Sequence, residues 1–218
     1  MRLSSGAIAA ALTVFSASTL AGQQLRDDSY TWYLGAQGGM LFFETQTQER
    51  TGIPSFGIQA TILAKRAGLQ LAIDEAFASD DSSAFAFFGE VVPVSFDRLR
   101  KYSATLMAWP IKATVEPYIG VGFGILHTVG TDVGGIFTTP EEAGQALSEA
   151  KDRGSTGFGS FLIGVQGAVS PTLRLFARYQ ITTSPSDGKL LVGPTHQIVG
   201  GLRVSLGGAR EGVKGGGY

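Results

Sequence analysis

The sequence predicts an all-β protein, an eight-stranded antiparallel up-and-down transmembrane β-barrel with one short helix in a long extracellular loop. Three observations lead to this prediction. Apolar and polar side chains alternate along eight segments, short and long connections alternate between those segments, and the chain of 218 residues is rich in glycine, with 31 glycines. The aromatic content of 10% supplies the bulky side chains that a Gly-rich disordered chain would lack.

The composition excludes several classes of function. Seventeen basic and 18 acidic residues give a net charge of -1, which argues against a dedicated nucleic-acid binder. The chain contains no cysteine, so disulfides, thiolate catalysis and Cys-based zinc sites are excluded. Only 16% of residues are charged, compared with roughly 25% in soluble domains.

The N-terminal segment, residues 1–21, is predicted to be a cleaved signal peptide. Arg2 provides a short positive region, a mildly apolar stretch runs over residues 7–20, and Thr19 and Ala21 are small residues at the positions that a signal peptidase reads. The alternative is an ordinary buried N-terminal helix. The mature chain is expected to begin near Gly22, outside the cytoplasm.

Eight segments of strand-like alternation follow, and together they predict a barrel domain over residues 22–206 with a Gly-rich C-terminal tail over 207–218. In the first segment the apolar Trp32 and Leu34 lie at even positions and would point to one face of the strand. The polar Gln37, at an odd position, would point to the opposite face. The segments lie near 29–45, 54–64, 68–78, 98–109, 116–127, 155–169, 172–183 and 194–206.

Connection length indicates a closed barrel across a membrane. The links after segments two, four and six are short, and the links after segments one, three, five and seven are longer. All short turns then fall on one face and all long loops on the other. Polar side chains are expected to face the lumen and apolar ones the lipid, although a soluble barrel with an ordinary aromatic core is the alternative.

The lumen phase carries enough charge to predict a polar network that plugs the barrel. Similar heights on opposite strands predict a bridge between Asp74 and Arg178, unless a bulge in the third strand turns Glu75 inward. The expected members of the network are Asp74, Arg178, Arg174, Arg203, Gln59, Gln180 and Glu116.

Aromatic residues near the strand ends predict two girdles at the membrane interfaces. The expected members are Trp32, Trp109 and Tyr118 on the short-turn side, and Phe42, Phe161 and Tyr179 nearer the long loops.

Two strands carry a resemblance to a known family. The run from Glu116 to Gly124 resembles the Pro-Tyr-x-Gly-x-Gly-x-Gly strand of small Gram-negative outer-membrane barrels, the group that includes OmpX and the OmpA transmembrane domain. The end of the last segment, Gly201-x-x-Val204-x-Leu206, is similar to the signal that the barrel-insertion machinery reads, but it lacks the terminal aromatic residue. The resemblance implies an outer-membrane location in the cell envelope.

Two long loops have features of their own. In the third, Thr139, Pro140 and Glu142 form a capping box that predicts a short helix ending near Gly154, either a lid over the barrel mouth or an ordered decoration. In the second, paired aspartates at 80–81 precede three phenylalanines. A solvated loop is favoured there over a calcium site, since calcium needs six to eight oxygen ligands.

These features predict an integral outer-membrane barrel with a plugged polar lumen and a structural or surface-interaction role through its extracellular loops. A narrow channel or binding barrel for small or apolar solutes is the first alternative. An outer-leaflet lipid-modifying enzyme is the second, because His127 and His196 fall at the long-loop ends of strands. No catalytic residue, cofactor or metal is expected. The expected partners are outer-membrane lipid and the insertion machinery, with no nucleic acid, an unidentified loop ligand and a monomeric state.

Overall fold

The computed structural model describes residues 29–111 and 113–210. The predicted signal peptide and residues 211–218 of the predicted tail lie outside the described residues. The strands are β1 Ser29–Thr45, β2 Thr51–Ala64, β3 Ala67–Phe87, β4 Glu90–Ala108, β5 Val115–Val129, β6 Asp132–Val133, β7 Ser155–Ala168, β8 Leu173–Thr182 and β9 Leu191–Arg210, and the helix is α1 Pro140–Arg153.

Eight of these strands close into a barrel. Each pairs antiparallel with its neighbour in the order β3-β2-β1-β9-β8-β7-β5-β4, and the pairing between β3 and β4 completes the ring. The short strand β6 adds two residue pairs to β4 outside that ring. The predicted eight-stranded antiparallel up-and-down barrel is confirmed, and closure leaves the ring without an unpaired edge.

Burial alternates with a period of two, as the sequence predicts. On β1, Gln37 is buried while Leu34 is 51% exposed. On β5, Val121 and Phe123 are 58% and 71% exposed, with glycines between and beside them. A belt of large apolar side chains therefore covers the outside of the barrel, whereas most buried polar side chains point inward.

The hairpin of β3 and β4 is longer than the sequence predicts. Residues 79–97 were expected to be largely a solvated loop, but pairing continues through a register shift after Phe77 up to the pair Phe87 and Glu90. Phe88 and Gly89 form the two-residue turn, both with positive φ (48° and 87°). The side chains of residues 79–81 lie outside the description, but Ser83 and Phe85 are buried.

Helix α1 packs on this extended hairpin. Ala150 lies in an apolar cluster with Phe85, Val92, Val94 and Leu190. The hairpin residues are buried because the helix covers them, which explains why an apparent loop keeps strand alternation. The long-loop side of the barrel is therefore an ordered projection of strand and helix.

The capping box of α1 is confirmed. The Thr139 side chain accepts a hydrogen bond from the backbone N–H of Glu142, and the Glu142 carboxylate accepts one from the backbone N–H of Thr138. At the other end, Gly154 donates its N–H to the carbonyl of Ala150. Within the described part of the chain, no helix is long and apolar enough to span a membrane.

Candidate functional site

The barrel interior holds a buried charged cluster at mid-height. Lys101 and Asp74 are directly opposite in the pairing of β3 with β4, and the Lys101 Nζ lies 3.6 Å from Asp74 Oδ2. Both side chains are almost fully buried, at 2% and 3% exposure. Gln37 donates to the other carboxylate oxygen of Asp74, and Lys101 also donates to Gln180 and Gln197. The carboxylate and the ammonium are thus paired and hydrogen-bonded, as buried ions require.

The predicted bridge between Asp74 and Arg178 is wrong, because Asp74 pairs with Lys101 instead. Arg178 is buried on the inner face of β8, as expected, but it donates a hydrogen bond to Gln70 and lies 6.0 Å above the ring of Phe176. Lys101 pairs with the Asp74 carboxylate because β4 is the direct neighbour of β3, so the Lys101 side chain need not cross the lumen. Lys101 was missed, although the outward alternation of Tyr102 and Leu106 indicates an inward position for it.

A second polar cluster lies toward the short-turn end. The Glu116 carboxylate accepts a hydrogen bond from Arg174 Nη1 at 2.7 Å and from Gln166 Nε2 at 2.8 Å. Gln166 in turn accepts one from Arg203 Nη1 at 2.9 Å. The guanidinium of Arg203 lies 4.4 Å from the ring centre of Phe176, where a cation–π attraction helps to replace its lost hydration.

The other two members of the predicted polar network are also inside the barrel. Gln180 accepts a hydrogen bond from Lys101 Nζ at 2.9 Å. Gln59 is 3% exposed, and its amide oxygen and nitrogen have no hydrogen-bond partner among the described residues. The polar side chains that the sequence singled out therefore lie inside the barrel in two separate clusters, with Gln59 hydrogen-bonded to neither, and Lys101 is an additional cation.

Charge is unevenly balanced around Asp74. Lys101 and Arg178 are buried cations in the mid-barrel, and Arg203 is buried toward the short-turn end. Among the described residues Asp74 is the fully buried carboxylate, since Glu116 is partly exposed and already pairs with Arg174. Amide oxygens of Gln70, Gln166, Gln180 and Gln197 accept hydrogen bonds from these cations. The interior thus depends on one buried carboxylate and on neutral acceptors, so the loss of Asp74 would leave its cationic neighbours with little compensation.

Apolar side chains lie above and below the mid-height charged cluster. The upper layer, on the helix side, is a buried cluster that contains Leu41, Phe43, Ile53, Ala76, Phe96, Leu99, Leu126, Phe158 and Leu191. The lower layer, on the short-turn side, contains Met107, Trp109, Tyr118 and Leu162. The mid-height charged cluster therefore lies between two groups of apolar side chains, and Arg203 of the second polar cluster lies 5.6 Å from the ring centre of Tyr118 in the lower group.

Two of the predicted interface aromatics belong to this lower layer and do not face lipid. Trp109 is 3% exposed and Tyr118 is fully buried, with their ring centres 5.6 Å apart. Tyr118 occupies the space over Gly164, where a Cβ would lie 2.5 Å from its Cζ, and Trp109 lies over Gly68. An aromatic ring can point inward in so narrow a barrel because the facing residue has no side chain.

The remaining predicted interface aromatics point outward. Trp32, Phe161 and Tyr179 are 41%, 47% and 37% exposed, and Phe42 is half-buried on the same outward phase. Tyr179 forms a hydrogen bond with Nδ1 of His196, and the two rings stack at 5.9 Å. His127 lies on the outward phase of β5, beside Arg100 in the strand register.

Neither histidine is part of a group of three or more metal-binding side chains, and the part of the chain that the structure describes holds no such group.

Comparison with known proteins supports the architecture. No family model matches the sequence, and no curated protein sequence matches it significantly. Among solved structures, Neisserial surface protein A (NspA) matches with a TM-score of 0.55 at 16% identity, over 79% of this chain and 96% of that chain. The chain has the fold of NspA. The predicted resemblance to small outer-membrane barrels is confirmed at the level of fold.

Two further structures match less well. Ail of Yersinia pestis, solved with the heparin analogue sucrose octasulfate, has a TM-score of 0.46 at 12% identity over 83% of this chain and all of that chain. The outer membrane protein OprG of Pseudomonas aeruginosa has a TM-score of 0.42 at 11% identity, over 79% of this chain and 92% of that chain.

Proposed function

We propose that this chain is an integral outer-membrane β-barrel protein with a plugged lumen, and that it has a structural or surface-interaction role rather than a catalytic one. The observation that carries the proposal is the inversion of the barrel. Charged residues such as Asp74 and Lys101 are buried inside, while large apolar residues such as Val121 and Phe123 cover the outside. A barrel in water would have the reverse arrangement, whereas a bilayer solvates an apolar exterior.

The fold that the chain shares with a neisserial surface protein agrees with a position at the cell surface. In that position the side that carries α1 and the β3–β4 hairpin faces outward from the cell, and the turn at Lys65 and Arg66 faces inward. Lipid and the barrel-insertion machinery are the proposed partners, and the barrel is proposed to act as a monomer.

The outward-facing loops offer apolar side chains for contact with another molecule. Phe88 and Val91 at the tip of the β3–β4 hairpin are 80% and 76% exposed, and Ile136 in the loop before α1 is fully exposed. Such residues lie beyond the membrane belt, so lipid does not account for their exposure. Surface interaction through these loops is therefore favoured over a purely structural role.

Cell fractionation tests the location. The full-length chain, expressed in a Gram-negative host, is expected in the outer-membrane fraction, with a mature N-terminus near residue 22. Its folded form should migrate differently on a gel before and after boiling, because a closed hydrogen-bonded barrel resists detergent unfolding. Recovery from the soluble periplasm without detergent would contradict the proposal.

Planar-bilayer recording tests the plug. The refolded wild-type barrel is expected to give no stable open-channel steps, because the proposed plug of charged and apolar side chains would block the passage of water and ions. Asp74→Ala and Arg178→Ala remove parts of the charged cluster and should raise the frequency of conductance steps, while Glu75→Ala, on the outward face, should not. A wild-type barrel that conducts steadily would favour the narrow-channel alternative.

A further inference from the structure

A row of charged side chains crosses the outside of the barrel at the helix-side end of the apolar belt. Glu75 on β3 pairs in register with Arg100 on β4, and Arg100 pairs in register with His127 on β5. Arg98 lies one outward position further toward the hairpin tip. Arg100 Nε donates to Glu75 Oε1 at 2.7 Å, and Arg98 Nη1 lies 3.7 Å from Glu75 Oε2.

Within this charged row two guanidiniums face one carboxylate, and the exposed Asp97 next to Arg98 directs its carboxylate over Gly130. Glu75 is shared by two guanidiniums, each of which has five N–H donors, so one carboxylate cannot satisfy both. The Arg98 and Arg100 side chains remain 39% and 37% exposed. Half-exposed guanidiniums at this level form a surface that favours an anion with several oxygen acceptors, such as a phosphate group.

An apolar groove begins one row closer to the middle of the barrel, on the same strands. It has a volume of about 680 Å³, within the roughly 300–1,000 Å³ of typical ligand sites. Ile73, Tyr102 and Ile125, which form the row next to the charged one, belong to its lining. Below them the outward small residues Ala60 and Ala104 flank Leu71, so the surface is indented there.

The chemistry of the groove and the charged row is complementary to one kind of molecule. The groove lining is almost entirely apolar and faces outward, where a hydrocarbon chain can lie along the wall. The charged row sits where the headgroup of that same lipid would lie. A free phosphate would gain nothing from the groove, and a neutral lipid would gain nothing from the guanidiniums.

We propose that this face of β3, β4 and β5 binds one outer-leaflet lipid, with its phosphate on Arg98 and Arg100 and an acyl chain in the groove over Ala60 and Ala104. This inference rests on the proposed outer-membrane function. It names a specific lipid site where the membrane belt alone would predict only non-specific solvation by acyl chains.

Native mass spectrometry of the refolded barrel in detergent tests the site, with hexa-acylated bisphosphoryl lipid A as the probe. We expect one tightly bound lipid A per barrel, binding at least 10-fold weaker for the dephosphorylated lipid, and no measurable binding of the phosphorylated disaccharide without acyl chains. The double variant Arg98→Gln/Arg100→Gln should lose at least 10-fold in affinity. Ala104→Phe, which fills the groove and leaves the charges in place, should lose at least 5-fold.

Matched variants separate the site from general effects. Arg50→Gln removes an exposed arginine from the β1–β2 loop, and Ala177→Phe enlarges an outward alanine on β8, away from the groove. Both should bind lipid A as the wild type does. Equal binding of phosphorylated and dephosphorylated lipid, or unchanged binding by Ala104→Phe, overturns the proposal. If the double arginine variant does not show the gel mobility of the folded barrel, the lipid A affinity of Ala104→Phe alone tests the proposal.

The fate of the site and that of the proposed function can be told apart. A chain that fractionates with the outer membrane and shows the heat-dependent gel shift, but binds no lipid A selectively, retains the proposed function and loses the lipid site. A chain recovered from the soluble periplasm loses both.

Discussion

Replacing Asp74 with asparagine is expected to destabilise the barrel by about 3–5 kcal/mol, the usual result of removing one partner of a buried ion pair. Asp74 is buried 3.6 Å from the Lys101 ammonium, and Arg178 is also buried in the mid-barrel. Without the carboxylate, these cations lie in a desolvated interior with amide oxygens as their main acceptors. Urea unfolding of the barrel refolded in lipid vesicles measures the effect.

Two companion variants check the cause. Adding Lys101→Gln to Asp74→Asn should recover part of the loss, because it removes the cation that the mutation left unpaired. Glu44→Gln breaks the exposed Glu44–Arg50 pair (3.0 Å) and should cost less than about 1 kcal/mol. Strictly additive losses at Asp74 and Lys101 would show that the pair contributes nothing as a pair.

Replacing Val121 with arginine is expected to destabilise the barrel by about 2–4 kcal/mol, because the side chain would have to be placed near the middle of a bilayer. Val121 is 58% exposed on the outward face of β5. The same exposed position in water would tolerate arginine within about 0.5 kcal/mol. The free energy of unfolding in vesicles therefore reports directly on whether lipid surrounds the belt.

Gln180→Glu is the matched change on the inner face. It places a carboxylate next to the Lys101 ammonium, whose Nζ lies 2.9 Å from Gln180 Oε1, in an interior with excess positive charge. We expect a smaller loss than for Val121→Arg. A larger loss at Gln180 than at Val121 would contradict the assignment of the outer face to lipid.

Strand phase was predictable because it depends on local alternation alone. Leu34 and Gln37 differ by an odd number of positions on one strand, so they point to opposite sides of the sheet whatever the rest of the chain does. The assignment of Asp74, Arg178 and Arg203 to the interior followed in the same way, and the structure buries all three. The capping box before α1 was equally local.

Aromatic residues at strand ends were harder to place. Trp32 follows the outward phase and is exposed, as predicted, but Trp109 and Tyr118 turn inward. Tyr118 shares its phase with the glycines of β5, so its inward position was visible in the alternation, whereas the prediction followed its location at a strand end. The space that it fills over Gly164 belongs to another strand.

The sequence by itself determined the strand count, the inward and outward faces and the helix start, because each depends on residues close together in the chain. Only the tertiary structure decided that Asp74 pairs with Lys101 instead of Arg178, and that residues 79–97 extend a hairpin under α1. Pair partners depend on the register between neighbouring strands, and burial of the hairpin depends on a helix more than 40 residues away in sequence. The two-residue alternation along a strand specifies which face of the sheet a side chain points to. Contacts between distant segments specify which residues it packs against or pairs with on that face.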